Sequence, residues 1–298
     1  MLPSVRPRAE PASLPVPRRV GAVAFCDFDE TYLAHAPTAA EVADREALED
    51  FLVEAAGRHG LLFGWVTGSS LPSVMDKVRA HRLRRLPHFI ACSLGTELLY
   101  LRDGVAHPDP SWQERLPEPG RLASLAEAVT AELADRGVPL VPQAGRPPGS
   151  LVRSHYYYTR TPASDERSLA LVRSTAERHS LGVGVSRCNP AAGDPENCYD
   201  VDFLPAGCGK RAVVRHVRRA YGVPPADTFA FGDSGNDLEM LREAGRGVLV
   251  ANCTTEARSG HPDVSGLPYA AAILAVLRDE LRDELRDRPR EEPRKESR

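Results

Sequence analysis

The 298-residue chain has no apolar run near the roughly 20 residues that a bilayer-spanning helix needs, so no membrane partner is expected. Its opening stretch, MLPSVRPRAEPASLPVPRR, lacks the apolar centre of a secretory signal, and a soluble, cytoplasmic protein is expected. Cysteine is sparse and scattered. Cys26, Cys92, Cys188, Cys198, Cys208 and Cys253 form no CxxC pair, which argues against a zinc site and against a disulfide framework. An excess of positive charge is also missing: a net charge of -3 leaves no footprint for a nucleic-acid partner. What remains is a globular balance, 42% hydrophobic and 27% charged, in a chain long enough for a large α/β core plus an insert.

The ends differ from the middle. Residues 1–18 are rich in Pro and Arg without an apolar period and read as a disordered or loosely attached lead; residues 289–298 form a charged tail. Before that tail Leu274, Leu277, Leu281 and Leu285 recur at helical spacing, and LRDELRDELRDR places opposite charges three and four apart, the pattern of a solvated terminal helix end. Between the ends, VGAVAFCDF, LLFGWVTG and HFIACSLG read as buried strands. Helical patterns separate them, one through Leu48, Phe51, Leu52 and Ala55 and one through SVMDKVRAHRL. Strands alternating with helices predict a doubly wound, Rossmann-like parallel sheet, with ligands at the C-terminal strand ends. After about residue 107 two helical and two strand patterns build an α+β insert, and alternation resumes at CYDVDFLP. The expected division is a core over 19–107 and 198–288 with an insert over 108–197.

Four places carry chemistry. In AFCDFDETYL, Asp27 and Asp29 are two apart, so an extended backbone points both the same way. Two close carboxylates repel, and either a cation neutralises them or one stays protonated; an Asp-rich turn is the structural alternative. A calcium loop is excluded, because its pattern would place Asp or Asn, Gly and Glu where this chain has Thr31, Tyr32 and Thr38. WVTGSS then offers the Thr67 hydroxyl and, at Gly68, backbone N–H groups for an anion at a helix start. Lys210 opens a helix after a Gly-rich turn, where a cation opposes the macrodipole and so implies acidic neighbours. FAFGDSGNDLEM sets Asp233, Ser234, Asn236 and Asp237 directly after a strand, a donor set suited to a hard cation such as Mg²⁺. Together these are the parts of a phosphoryl-transfer site: nucleophile, acid/base, phosphate clamp, neutralising cation and metal loop.

The motifs DFDET, VTGSS, GK and GDSGND, in this order, resemble those of the haloacid dehalogenase superfamily. The resemblance implies that Asp27 attacks phosphorus to form an aspartyl-phosphate, that Asp29 protonates the leaving alkoxide and then activates water, and that Thr67 and Lys210 hold the phosphoryl group. It also implies Mg²⁺ held by Asp27, the backbone carbonyl of Asp29 and Asp233, with Asp237 acting through water. The insert lies where this superfamily's C2 caps occur, and SLGTELLY resembles the sucrose-phosphatase and Cof-type branch. Many relatives there carry Arg after the Thr-Gly pair, where this chain has Ser69.

More narrowly, residues 20–275 resemble bacterial phosphatases of an amino-sugar 6-phosphate, through GWVTGSS, PHFIA, RCNP, AGDPE and YDVDF. The implied partner is a small sugar phosphate. Asp194 or Glu196 would pair with the sugar ammonium, and Arg187 and Asn189 would bond hydroxyls. Tyr156, Tyr157 and Tyr158 read as strand packing and His155 as structural. A sugar phosphomutase or a phosphatase of another hexose phosphate would use the same acids. A sugar-phosphate-binding regulator without turnover would have no use for the whole set.

Overall fold

The computed structural model describes residues 10–144, 149–188, 190 and 194–287. A short strand β1 (Ala12–Ser13) leads to β2 (Ala22–Cys26), every residue of which is buried, as an apolar run at the middle of a two-sided sheet must be. α1 (Ala39–Arg58) follows, started by a capping box between Thr38 and Glu41. Then come β3 (Leu61–Val66), α2 (Leu71–Ala80), β4 (Arg85–Leu86), which pairs with β1, and β5 (Phe89–Cys92). β2, β3 and β5 are parallel neighbours.

The sheet is not parallel throughout. β6 (Glu97–Arg102) and β7 (Val105–Pro108) fold back antiparallel at its edge. Asp103 and Gly104 join them at φ 50 and 76, the left-handed two-residue turn whose twist matches a hairpin. The Asp-Gly pair is the local signal for this departure.

The insert starts after α3 (Pro110–Gln113), whose Trp112 packs on the core. It comprises α4 (Pro119–Asp135), β8 (Val141–Pro142), β9 (Arg153–Tyr158), α5 (Pro162–Arg178), β10 (Leu181–Arg187) and β11 (Cys198–Pro205). The four strands form an antiparallel sheet in the order β10-β11-β9-β8. Leu122, Val129 and Leu133 of α4 and Leu169, Val172 and Ala176 of α5 pack with Tyr157, Val201 and Phe203 on one face of it. Strand alternation therefore turns Ser154, Tyr156, Asp200 and Asp202 to the face these helices leave open.

Placing CYDVDFLP with the returning core is corrected: β11 is the second strand of the insert's sheet, and the insert runs on to Pro205. The physical reason lies in the residues. Asp200 and Asp202 alternate with Tyr199, Val201 and Phe203, the period of a sheet with one open face, which a core strand covered on both sides would not tolerate.

The chain re-enters the core through α6 (Lys210–Ala220), β12 (Thr228–Gly232), α7 (Leu238–Glu243), β13 (Arg246–Leu249), α8 (Thr255–Gly260) and α9 (Tyr269–Asp287). The large sheet has the order β13-β12-β2-β3-β5-β6-β7. β2 has β3 on one side and β12 on the other, so the strand order reverses there and a crevice opens beyond the C-terminal ends of β2 and β12. Among the described residues all six cysteines are free thiols, and no helix is long and apolar enough to cross a membrane.

α9 is more than a solvated end. Ile273, Leu274, Leu277 and Leu281 enter the same core cluster as Leu48 and Leu52 of α1. Leu277 is fully buried, and its replacement by Ala should cost about 2–5 kcal/mol, read as a lower urea midpoint at unchanged slope. An unchanged midpoint would mean that α9 does not belong to the cooperative core.

Candidate active site

Asp27 is the first residue after β2, and its N–H donates to the Phe231 carbonyl of β12 at 2.9 Å. Phe28 is fully buried, with its ring 4.6 Å from that of Trp65. This anchor sends the intervening side chain into the core and leaves Asp27 and Asp29 on the crevice side. Tyr32 and Leu33 N–H groups both donate to the Phe28 carbonyl, closing the turn, and Glu30 takes a positive φ of 59 within it. Thr31, fully buried, donates from Oγ1 to Asp233 Oδ1 at 2.8 Å. Sequence reasoning assigned Thr31 no role; its partner lies at the end of another strand, and local spacing carries no sign of it.

Lys210 lies at the centre of the charge. Its Nζ donates to Asp27 Oδ1 and to Asp237 Oδ1, each at 2.6 Å, with the lysine side chain 3% exposed. Asp237 is held in turn by the Asp233 and Ser234 N–H groups, both 3.1 Å from Oδ2. Gly232 makes this fold-back possible: a Cβ there would lie 2.4 Å from that of Asp237.

Asp27, Asp233 and Asp237 each bring one carboxylate oxygen within 4.8 Å of the others, and all three are buried. Burial pushes the Asp27 carboxyl well above its ordinary value against the pull of Lys210, with Asp237 and Asp233 adding to the rise. Burial and the charge of Asp237 push Asp233 up to about 7. Burial alone would lower the Lys210 ammonium, yet the charges of Asp237 and Asp27 hold it above its usual value. Lysine and aspartate thus point opposite ways, one toward an ion pair and the other toward a protonated acid. The lysine is the charged partner, because one ammonium bonded to two carboxylates beside a third leaves the acids, not the lysine, in excess. Three crowded oxygen donors short of positive charge fit a hard cation such as Mg²⁺.

The Thr67 side meets Asp29. Thr67 is buried at the end of β3, and its Oγ1 accepts the Ser69 N–H at 3.0 Å, which leaves the hydroxyl proton to donate. α2 begins at Leu71 behind the N-cap Ser70, so Gly68 lies ahead of the helix rather than opening it. Ser69 Oγ donates to Asp29 Oδ2 at 2.8 Å and Lys77 Nζ to Asp29 Oδ1 at 2.6 Å. The Asp29 carboxylate therefore faces α2 and is not in the cluster of Asp27, Asp233 and Asp237. Lys77 reads in sequence as one polar residue of an amphipathic helix, and no spacing rule singles it out.

In the insert the expected sugar contacts separate. Arg187 stands on the helix-covered face, its guanidinium 5.1 Å from the Tyr199 ring, in a groove shared with Glu166 and Glu256. Asn189 lies outside the described residues. Glu196 is exposed in a turn. Asp194 converges with Cys188 and Asp200, one donor atom of each within 4.8 Å of the others. On the open face Gln143 Nε2 donates to Asp200 Oδ1 at 2.7 Å, and Ser154 Oγ donates to Asp202 Oδ1. The sequence reading singled out neither Asp200 nor Asp202, because their strand was assigned to the core. Tyr157 is buried with its hydroxyl donating to Asp165 Oδ1 at 2.7 Å, while Tyr158 is exposed, as strand packing requires. His155 packs edge-on against Phe203, and burial lowers its proton affinity, a structural setting.

The family described as sucrose-6F-phosphate phosphohydrolase matches residues 22–271. Kanosamine-6-phosphate phosphatase of Bacillus subtilis is 35% identical over 257 residues, 86% of this chain and 91% of that protein. A crystal structure of a haloacid dehalogenase-like hydrolase from Bacillus subtilis aligns with a TM-score of 0.70 at 35% identity, covering 91% of this chain and 95% of that one. The sucrose-phosphatase of Synechocystis, solved with sucrose and phosphate, shares the fold at a TM-score of 0.65 and 20% identity, over 88% of this chain and 98% of that one.

Proposed function

The chain belongs to the sucrose-6F-phosphate phosphohydrolase family of the haloacid dehalogenase superfamily and is a sugar phosphatase, and from that premise we propose that its substrate is an amino-sugar 6-phosphate, kanosamine 6-phosphate first. The observation that carries the chemistry is the buried Lys210 bridging Asp27 and Asp237 beside Asp233. Asp27 attacks phosphorus and the bond to the sugar oxygen breaks. The leaving oxygen takes a proton from Asp29, and water then attacks the aspartyl-phosphate while giving its proton back to Asp29. Lys210 and the Thr67 hydroxyl stabilise charge on the phosphoryl oxygens. Asp27, the Asp29 carbonyl and Asp233 would hold Mg²⁺, with Asp237 through water, and the ion would supply further neutralisation of phosphoryl charge.

Substrate choice falls to the insert, acting as a cap. Its open face carries Asp200 and Asp202, with Asp194 close to Asp200, and this acidic surface suits the ammonium of an amino sugar better than a neutral hexose. Phosphate release with Mg²⁺ from kanosamine, glucosamine and glucose 6-phosphates and from sucrose 6F-phosphate tests the reading. The amino sugars should lead, and Asp200→Asn should reduce their kcat/KM about 10-fold or more while changing that for glucose 6-phosphate by less than about threefold, in line with the loss of a charge-assisted contact. Equal rates across the panel would sink the amino-sugar assignment and leave the phosphatase chemistry standing.

A further inference from the structure

Asp29 carries a half-exposed side chain, 38% accessible, in which a carboxylate would ordinarily turn among its rotamers. Here both oxygens are tied, Oδ1 to Lys77 Nζ at 2.6 Å and Oδ2 to Ser69 Oγ at 2.8 Å. Lys77 Nζ also approaches Ser69 Oγ at 3.4 Å, so the three groups close on one another. An exposed lysine–aspartate pair alone contributes little to stability. This one differs in two respects: the acid is the proton carrier of the reaction, and its second oxygen is held as well. Ser69 is fixed by its N–H on Thr67 Oγ1, and Lys77 by the last turn of α2. The orientation of Asp29 is thereby set by the strand end that holds the phosphoryl group as well as by its own turn.

We propose that Lys77, with Ser69, is a positioning residue that keeps the Asp29 carboxyl aimed at the leaving oxygen; this rests on the phosphatase reading above. A carboxyl group has about four acceptor directions, and the two contacts leave one on each oxygen for the substrate side. In the first half-reaction the bond from Asp27 Oδ to phosphorus forms as the phosphorus–oxygen bond to the sugar breaks. The electron pair stays on the sugar oxygen, and the Asp29 proton joins it. A wandering carboxyl would slow this step in proportion to how badly the leaving group needs that proton.

The test is leaving-group dependence. kcat/KM, which reports steps up to departure of the leaving group, is measured with Mg²⁺ for wild type, Lys77→Met, Lys77→Arg and Ser69→Ala. The substrates are the best sugar 6-phosphate, phenyl phosphate and p-nitrophenyl phosphate. Lys77→Met should lose about 10–100-fold on the sugar phosphate, part of the 10²–10⁴-fold that a positioned acid supplies. It should lose less on phenyl phosphate and under about threefold on p-nitrophenyl phosphate, whose phenolate leaves unaided. Lys77→Arg should recover most of the loss, and Ser69→Ala should show the same trend more weakly.

Equal losses on all three substrates would make Lys77 a structural residue and overturn the proposal. So would no loss on the sugar phosphate. A loss on the sugar with a flat aryl pair would make Lys77 a sugar contact instead. A wild type that hydrolyses none of the three would overturn the phosphatase reading first and this inference with it.

Discussion

Asp27→Asn should lower phosphate release at least about 10⁴-fold with the fold intact. The substitution keeps shape and removes the proposed nucleophile, since an amide cannot attack phosphorus and return as a leaving carboxylate. Its effect on stability should run the other way. Burial and the charges of Asp237 and Asp233 already raise the Asp27 carboxyl well above its usual value, so a neutral side chain relieves crowding, and the metal-free variant should melt no lower than wild type. Intact-mass measurement on rapidly quenched reactions supplies the second readout: wild type should gain one phosphoryl group during turnover and the variant none. A variant keeping more than about one part in a hundred of the activity would assign the attack to another group. If wild type releases no phosphate from any sugar phosphate and Asp27→Asn changes only binding, the chain is a sugar-phosphate sensor instead.

The residues that could be read from sequence are those whose position is local. Asp27, Thr67, Lys210 and Asp233 each follow an apolar strand or open a helix, so a periodic pattern fixes where they emerge, and a doubly wound sheet gathers such ends at one edge. Thr31, Ser69 and Lys77 could not be read in the same way. Each is paired with a residue far away in the chain, Thr31 with Asp233 and both Ser69 and Lys77 with Asp29, and nothing in DETY, VTGSS or SVMDKVRA marks the pairing. Arg187 lies elsewhere than its sequence neighbours suggest. Its place beside NPAAGDPEN drew it to the substrate, but strand parity with Val185 and Val183 turns it to the helix-covered face. The same parity, applied to CYDVDFLP, would have found Asp200 and Asp202 and moved the boundary of the insert.

Lys210→Met should cost about 3–5 kcal/mol of stability in chelator at neutral pH, the usual consequence of removing one partner from a buried ion pair. Methionine is close to lysine in length, so the loss is of charge and not of packing. The Lys210 side chain is 3% exposed and touches two carboxylates at 2.6 Å; without it Asp27, Asp233 and Asp237 are left buried with no ammonium among them. The pH dependence identifies the cause. A carboxyl whose folded value exceeds its unfolded one holds its proton more tightly in the folded state. Its contribution to stability is therefore complete below the unfolded value and is lost as pH rises through the folded one. Asp233 already stands at about 7 against an ordinary 3.8, and Asp27 is raised in the same direction. Lys210 lowers both, so removing it raises them further. The deficit should thus be largest above about pH 7, shrink as pH falls toward 5, and shrink again when Mg²⁺ is added. Activity should fall at least about 10³-fold even where the variant is folded, because the phosphoryl oxygens lose a buried cation that water cannot replace. Urea titrations at pH 5 and 7.5, with chelator and with Mg²⁺, decide the matter. A deficit that does not change between the two pH values would mean that lost packing, and not unbalanced charge, destabilises the variant.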